Sequence, residues 1–460
     1  MPVNSFDNYP LTWKPDKDAL TTPYYLSLSA DLERQIRSGA LAPGTRLPPQ
    51  RELADYLDLN YTTITRVYDL CRKKGLVYGV MGRGTFVAPH AAEHVTITFP
   101  EGEEDCIEMG AIHAFSEYSG PVEQATRTVL GKGYLRQLYA YSWPRGYPHQ
   151  LSAGVRWMEQ MGVHTDMDHC AIFTGAQNAL TVALLSLFSP GDRLAVDRYT
   201  YPNLIELARM FHLVLVPVAG DGEGMLPQAL DAQCRRSRVR GVYLMPTCAN
   251  PTGATMSPLR RQALAEVIGR HELILLEDDI AAWLFAGEGQ TSLFDRVGAR
   301  AVYICGMTKS LCPGLRVAFA AYTEDLRQSM EYGLFNINIK TSSLDAEIIT
   351  ELLLSGDAYR IVQHKRALTD RARGLYARYF PHQVPGPGYF QWLRLPRMPQ
   401  DVERRLLRRG VRVYGAGRFT AADGLPREHL RVSLCSAGNM QRLESGLRRL
   451  RDALPELTQG

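Results

Sequence analysis

The stretch YICGMTKSLCPGLRVAFAAY, residues 303–322, carries a lysine and, seven positions later, an arginine. Apolar runs flank the pair: Ala301 to Cys305 and Val317 to Tyr322 read as buried strands. Lysine and arginine are seldom buried without a partner, so Lys309 and Arg316 call for one. A desolvated amine loses its proton and attacks a carbonyl to give an imine. A guanidinium close by suits a phosphate on the same carbonyl compound. Pyridoxal 5′-phosphate has both groups. Its ring nitrogen also wants a carboxylate, and its phenolic oxygen wants a donor.

Candidates for the rest of that set lie along the chain. LILLEDDIAAW is an apolar run ending in three acids, Glu277, Asp278 and Asp279. Ligands of α/β sheets bind at the carboxyl ends of strands, which is where this triplet falls, and it supplies the candidate carboxylate for the ring nitrogen. PTCANPTGATMS supplies Asn250 for the phenolic oxygen. FTGAQNALTVALLSLF reads as a strand end, a turn and a helix, whose free amides at Gly175, Ala176 and Gln177 make a phosphate seat. DRYTYPN offers Tyr201 to stack on the ring. Each piece alone has a plainer reading: a solvated acidic loop, a common turn, a helix cap, a packed aromatic. Their order and spacing together favour the cofactor.

These residues need a scaffold. CAIFTG, RLAVD, LVLVPV, GVYLMP, LILLEDD and AVYICG alternate with helix-length segments, which predicts βαβ units and a mainly parallel sheet. Beyond about residue 335 the pattern turns helical. It then returns to short strands at GYFQWLRL, VRVYG and HLRVSL, a smaller C-terminal α+β portion.

The first ninety residues differ. A helix is expected over Leu28 to Ser38, stopping at Gly39, and a second in LPPQRELADYL, opened by prolines that suit a first turn. A third is expected in YTTITRVYDLCRKKG with Asn60 as its cap. LVYGVMGRGTFVA reads as a hairpin with a glycine-rich tip. Three helices and a hairpin make a winged helix-turn-helix. Its third helix can present Tyr61, Thr62, Thr63 and Thr65 to the major groove of double-stranded DNA. Arg46, Arg51 and Arg66 suit phosphates or bases, and Arg83 in the hairpin tip suits the minor groove or the backbone. A small cap domain with a solvated helix is the plainer alternative.

This segment resembles the GntR-type winged helix over nearly its full length, most clearly in PGTRLPPQRELADYL and GRGTFV. That family often has arginine where this chain has Tyr61, so a bidentate guanine contact is lost there. Residues 106 to 455 resemble the fold-type I pyridoxal-phosphate aminotransferases, with GMTKSLCPGLRVAF the strongest match. The combination resembles the MocR-type regulators, a GntR winged helix fused to an aminotransferase class I/II-like domain. It implies a DNA-binding domain over 11–89, a linker over 90–105 and a pyridoxal-phosphate domain over 106–460. It also implies Lys309 as the internal aldimine lysine, Asp278 at the ring nitrogen, Asn250 at the phenolic oxygen and Tyr201 on the ring. The phosphate falls to Ala176, Gln177, Thr308 and Arg316. Arg431 stands where the family holds an α-carboxylate. Tyr141 stands where a residue reaches in from the partner subunit, which implies a homodimer.

Two departures bear on chemistry. Ala281 replaces a tyrosine that hydrogen-bonds the cofactor, which argues against efficient transamination. Gly306 replaces a phosphate-binding Ser or Thr. The leading expectation is therefore a transcriptional regulator that senses an amine, an amino acid or pyridoxal phosphate itself. A working aminotransferase with a DNA-binding appendage is the alternative, and a purely structural cofactor fold the third. Bulk features set outer bounds. The net charge of +4 is too weak to argue nucleic-acid binding alone. No apolar run approaches the roughly 20 residues of a membrane helix. Eight scattered cysteines without close metal-ligand spacing predict reduced thiols, a cytoplasmic protein and no metal.

Overall fold

The computed structural model describes residues 11–37, 40–42, 44–73, 76–80, 82–88, 106–113, 115, 118–284, 292–395, 397–399, 401–422 and 425–458. The chain divides into two compact units, Met1–His94 and Val95–Gly460. The expected linker over 90–105 and the expected helix stop at Gly39 lie outside the described residues.

In the first unit, α1 (Tyr24–Arg37), α2 (Gln50–Leu57) and α3 (Tyr61–Lys73) precede the strands β1 (Val77–Val80) and β2 (Gly84–Val87). The two strands form an antiparallel hairpin with Val77 opposite Val87. Leu28, Leu32 and Ile36 recur every four residues and bury one stripe of α1 in a core with Leu53, Leu57, Ile64 and Val67. α1 begins four residues before the expected Leu28. The apolar stripe marks only the buried face, and Tyr24 and Leu26 of the first turn are exposed. Asn60 caps α3: its Oδ1 accepts from the Thr62 amide at 3.0 Å.

The second unit opens with β3 (Ile107–Glu108). Its centre is a sheet of β4 (Cys170–Phe173), β5 (Arg193–Asp197), β6 (Val214–Val218), β7 (Val239–Leu244), β8 (Ile274–Asp278), β9 (Ala301–Gly306) and β10 (Ala318–Tyr322). The strand order is β4-β10-β9-β8-β7-β5-β6. β9, β8, β7, β5 and β6 are mutually parallel. β10 runs antiparallel to both β9 and β4. Every residue of β8, β9 and β10 is buried, as a sheet covered on both faces requires. This is the expected mainly parallel sheet of the aminotransferase fold.

Four helices matter for the site: α4 (Ala176–Leu187), α5 (Met307–Ser310), α6 (Ser343–Ser355) and α7 (Asp357–Tyr379). The C-terminal portion holds β11 (Phe390–Arg394), β12 (Val411–Arg412), β13 (Tyr414–Gly415), β14 (His429–Ser433) and α8 (Met440–Thr458). β11, β14 and β13 form a small antiparallel sheet. β12 pairs in parallel with β3, so the chain entering the unit is built into its C-terminal portion. A strand of two residues carries too little pattern to announce that pairing from sequence. No helix among the described residues is long and apolar enough to cross a membrane.

One buried carboxylate ties the 131–150 stretch to α6. Glu347 has no exposed surface. It accepts from Lys132 at 2.9 Å, Tyr134 at 2.6 Å, His149 at 2.7 Å and Gln150 at 2.8 Å. Burial pushes its pKa up, but the four hydrogen bonds outweigh burial and hold it at about 2, below the ordinary 4.5. A depressed carboxylate pKa stabilises the fold above the unfolded value, and that support is lost as pH falls from about 4.5 toward 2. Glu347→Ala is expected to cost about 3 kcal/mol, because Tyr134 and His149 lose this acceptor, Lys132 is left with Glu351 and Gln150 with the Ser343 carbonyl. Denaturant unfolding of the two proteins at neutral and acidic pH checks this: their difference should shrink in acid.

Candidate functional site

Strand direction gathers the chemistry at one edge of the sheet. β4, β5, β7, β8 and β9 point the same way, and ligands bind outside such carboxyl ends. β8 ends in Asp278, and β9 runs into α5, which bears Lys309. β7 is followed by the loop with Asn250, β4 by Gly175 and α4, and β5 by Tyr201. β10 runs the other way and so starts at this edge, two residues after Arg316. A cleft of about 760 Å³ opens there, lined by Lys309, Asp278, Asn250, Tyr201, Arg316 and Arg431, with Ala176, Gln177 and Thr308.

Lys309 projects from the one-turn helix α5, and its Nζ donates to the carbonyl of Ile112. Burial lowers its pKa to about 8; Arg431 and Arg316 add repulsion, while Cys435 opposes the shift. Opposite it, Asp278 is the one acid of its triplet that lines the cleft. Side chains alternate along a strand, so Glu277 faces away and accepts from the amides of Leu293 and Phe294. Asp279 accepts from Thr247 at 3.0 Å. Asp278 Oδ2 accepts from the Tyr243 hydroxyl at 2.8 Å, whereas its Oδ1 is buried and unsatisfied. Burial raises the Asp278 pKa to about 7, Tyr243 works against that rise, and Asp279 adds to it. A buried, half-satisfied carboxylate is an acceptor for a cationic N–H.

The phosphate end is shaped by backbone. Gly175 caps α4 with φ of 84°. A Cβ there would lie 2.9 Å from Nη2 of Arg316, so only glycine lets the guanidinium reach this turn. The amides of Ala176 and Gln177 open α4 and therefore have no carbonyl one turn back. Thr308 lines the same end. The Gln177 side chain is already engaged, accepting from the Tyr201 hydroxyl at 2.9 Å.

Arg431 is 1% exposed. Its Nη1 donates to Asn250 Oδ1 at 2.6 Å and its Nη2 to the Gly110 carbonyl at 2.5 Å. Its guanidinium lies 4.6 Å from the centre of the Phe419 ring. Burial lowers its pKa to about 10. Its Nε is buried without a partner, so an arriving carboxylate finds a free donor there while Asn250 and Gly110 hold the two terminal nitrogens. Tyr141 is outside the cleft; it is 89% exposed beside Trp143 on a shallow surface. Ala281 is fully buried. Tyr243 was missed in the sequence; its signal was the lone hydroxyl in the apolar run VYLM, which needs a partner once buried.

On the first unit, Tyr61, Thr62 and Arg66 on α3, Arg51 on α2 and Arg83 between β1 and β2 are exposed. Arg46 is exposed as well, and Thr63 is half-buried. The Thr65 hydroxyl is tied inward, to Gln50 Oε1 at 2.9 Å and the Tyr61 carbonyl at 3.0 Å.

The model for bacterial regulatory proteins of the gntR family matches residues 24–87, and that for aminotransferase class I and II matches residues 117–450. The Bacillus subtilis (strain 168) protein named uncharacterized HTH-type transcriptional regulator YdeF is 35% identical over 466 residues, covering 100% of both chains. The 2-aminoadipate transaminase of Thermus thermophilus is 28% identical over 349 residues, covering 73% of this chain and 86% of that one. Among solved structures, LysN of Thermus thermophilus, an alpha-aminoadipate aminotransferase complexed with N-(5′-phosphopyridoxyl)-L-leucine, aligns with a TM-score of 0.69 at 24% identity, covering 77% of this chain and 93% of that chain. Pyrococcus horikoshii kynurenine aminotransferase aligns with a TM-score of 0.72 at 20% identity, covering 78% and 92%. Both structural likenesses are likenesses of fold.

Proposed function

Because this chain belongs to the aminotransferase class I and II family and carries a gntR-family segment in front of that domain, we propose that it is a DNA-binding regulator whose pyridoxal-phosphate domain senses an amino compound. The observation that carries this reading is the pairing across one cleft of a half-buried amine, Lys309, with a buried carboxylate oxygen, Asp278 Oδ1, that lacks a partner. Pyridoxal phosphate is the family's cofactor, and the residues present fit it. Asp278 would hold the ring nitrogen, Asn250 the phenolic oxygen and Tyr201 the ring face. Gly175, Ala176, Gln177, Thr308 and Arg316 would hold the phosphate. When bound, the cofactor supplies an aldehyde that condenses with primary amines.

The chain's own groups do the rest. Lys309, with its pKa lowered to about 8, presents a far larger fraction of free amine near neutral pH than an ordinary lysine does. Asp278 keeps a proton on the ring nitrogen. Arg431 takes the carboxylate of an amino acid at its unpartnered Nε–H, while Asn250 and Gly110 hold its terminal nitrogens in place. Tyr141 reaches the cleft of the second subunit of a homodimer. In the first unit, Arg46, Arg51, Arg66 and Arg83 contact phosphates or bases, and Tyr61, Thr62, Thr63 and Thr65 face the major groove. The effector changes DNA affinity only through its different affinities for two arrangements of the dimer.

The second reading, an active aminotransferase, draws on the intact Lys309, Asp278 and Arg316 and on the 28% identity to a transaminase. Ala281 weighs against it, since no phenol stands there for the cofactor. Titrating the pyridoxal-phosphate protein with amines, amino acids and free cofactor, while following its visible absorbance and its DNA affinity together, tests the proposal. The sensor reading expects one compound to move both. An absorbance that responds while DNA affinity never does contradicts it, and rapid turnover of an amino acid with a keto acid supports the enzyme.

A further inference from the structure

A buried lysine stands behind Lys309. Lys365 on α7 is 2% exposed. Its Nζ donates to the carbonyl of Lys309 at 3.0 Å and to that of Leu311 at 2.8 Å. The need for such a donor is written into the chain. In a helix the carbonyl of Lys309 would take the amide four residues on, but that residue is Pro313, which has no N–H. The amides of Leu311 and Cys312 both fold back on the carbonyl of Met307 instead, so α5 closes after one turn. The carbonyls at 309 and 311 are left over, and an ammonium at a helix C-terminus satisfies them and opposes the helix dipole.

The electrostatic setting is unusual. Burial lowers the Lys365 pKa to about 8; the groups acting on it are Cys312, Cys435 and Lys309, with no carboxylate among them. Lys309 itself faces Arg316 before β10, Arg431 on β14, Cys435 after β14 and His113 after β3, with Asp278 and Tyr201 across the cleft. A further cation close by disfavours the ammonium form of Lys309.

We propose that Lys365 is a positioning residue for Lys309: it supplies the donor that Pro313 cannot, fixes the turn that aims the Lys309 amine into the cleft, and places a cation behind that amine. The inference rests on the reading of Lys309 as the cofactor lysine. Lys365 does not line the cleft, so it acts through α5 and not by touching cofactor or effector.

The test uses the full chain as wild type, K365M, K365Q and K365R, with pyridoxal phosphate as the probe. The rate of covalent capture at Lys309 is read by borohydride trapping and mass spectrometry from neutral to alkaline pH, and circular dichroism reports folding. Loss of a charge-assisted hydrogen-bond donor should slow capture by roughly 10- to 100-fold in K365M. Losing the cation should also move the rate's pH midpoint to more alkaline values in K365M and K365Q. K365R should restore the midpoint, and K365Q should fall between wild type and K365M in rate. A folded K365M that captures at the wild-type rate with the wild-type pH midpoint overturns the inference. If K365M does not fold, K365Q decides: an alkaline shift supports the proposal, and an unmoved midpoint overturns it. A wild-type protein with no label at Lys309 would instead remove the reading of the site on which this rests.

Discussion

Lys309→Ala is expected to hold no covalently bound pyridoxal phosphate and to show no change of DNA affinity with any amino compound. Lys309 is the lysine among the residues lining the cleft. The buried Lys365 is turned to the backbone of α5. With a pKa near 8, about half of the Lys309 amine is unprotonated at pH 8, against well under ~1% for an ordinary lysine. Alanine removes the nucleophile and leaves Asp278 and the phosphate seat in place. Intact mass after trapping and DNA titration with and without the effector check both halves of the expectation. The response ratio should fall to one.

Asp278→Ala should weaken pyridoxal-phosphate binding by about 100-fold or more. Removing one partner of a buried charged pair costs about 3–5 kcal/mol, which is at least two orders of magnitude in affinity. The direction with pH follows from the raised pKa of about 7 in the absence of cofactor. Below that value Asp278 carries its own proton and is a poorer partner for the ring nitrogen's N–H. Wild-type affinity should therefore fall as pH drops through 7, and the Asp278→Ala protein should lack that dependence. Asp278→Asn keeps the shape and separates charge from packing. Equilibrium binding followed by cofactor absorbance measures all three proteins.

Much of this architecture is legible along the chain because apolar strands announce themselves and their carboxyl ends mark the ligand edge. The run LILLEDD shows where a carboxylate emerges, and TGAQ where a helix offers free amides. Which of three adjacent acids faces the cleft needs the phase of β8, and that depends on packing at both faces of the sheet. Lys365 was hidden for a different reason. In the mixed sequence of α7 a lysine reads as part of a solvated face, and only the proximity of α5 and Pro313 reveals its use. The engagement of Arg431 with Asn250 and Gly110 joins residues 181 and 321 positions apart, a distance no local pattern spans. β3 is too short for periodicity to reveal it. In the first unit, the inward turn of Thr65 depends on Gln50, which a helical wheel of α3 alone does not show.

Reduction of the pyridoxal-phosphate protein with borohydride, followed by digestion and peptide mapping, bears most directly on the central claim that the cofactor aldehyde is held at position 309. The expected result is a single pyridoxyl label on the peptide containing MTKS. A label confined to another lysine, or none at saturating cofactor, would contradict the claim.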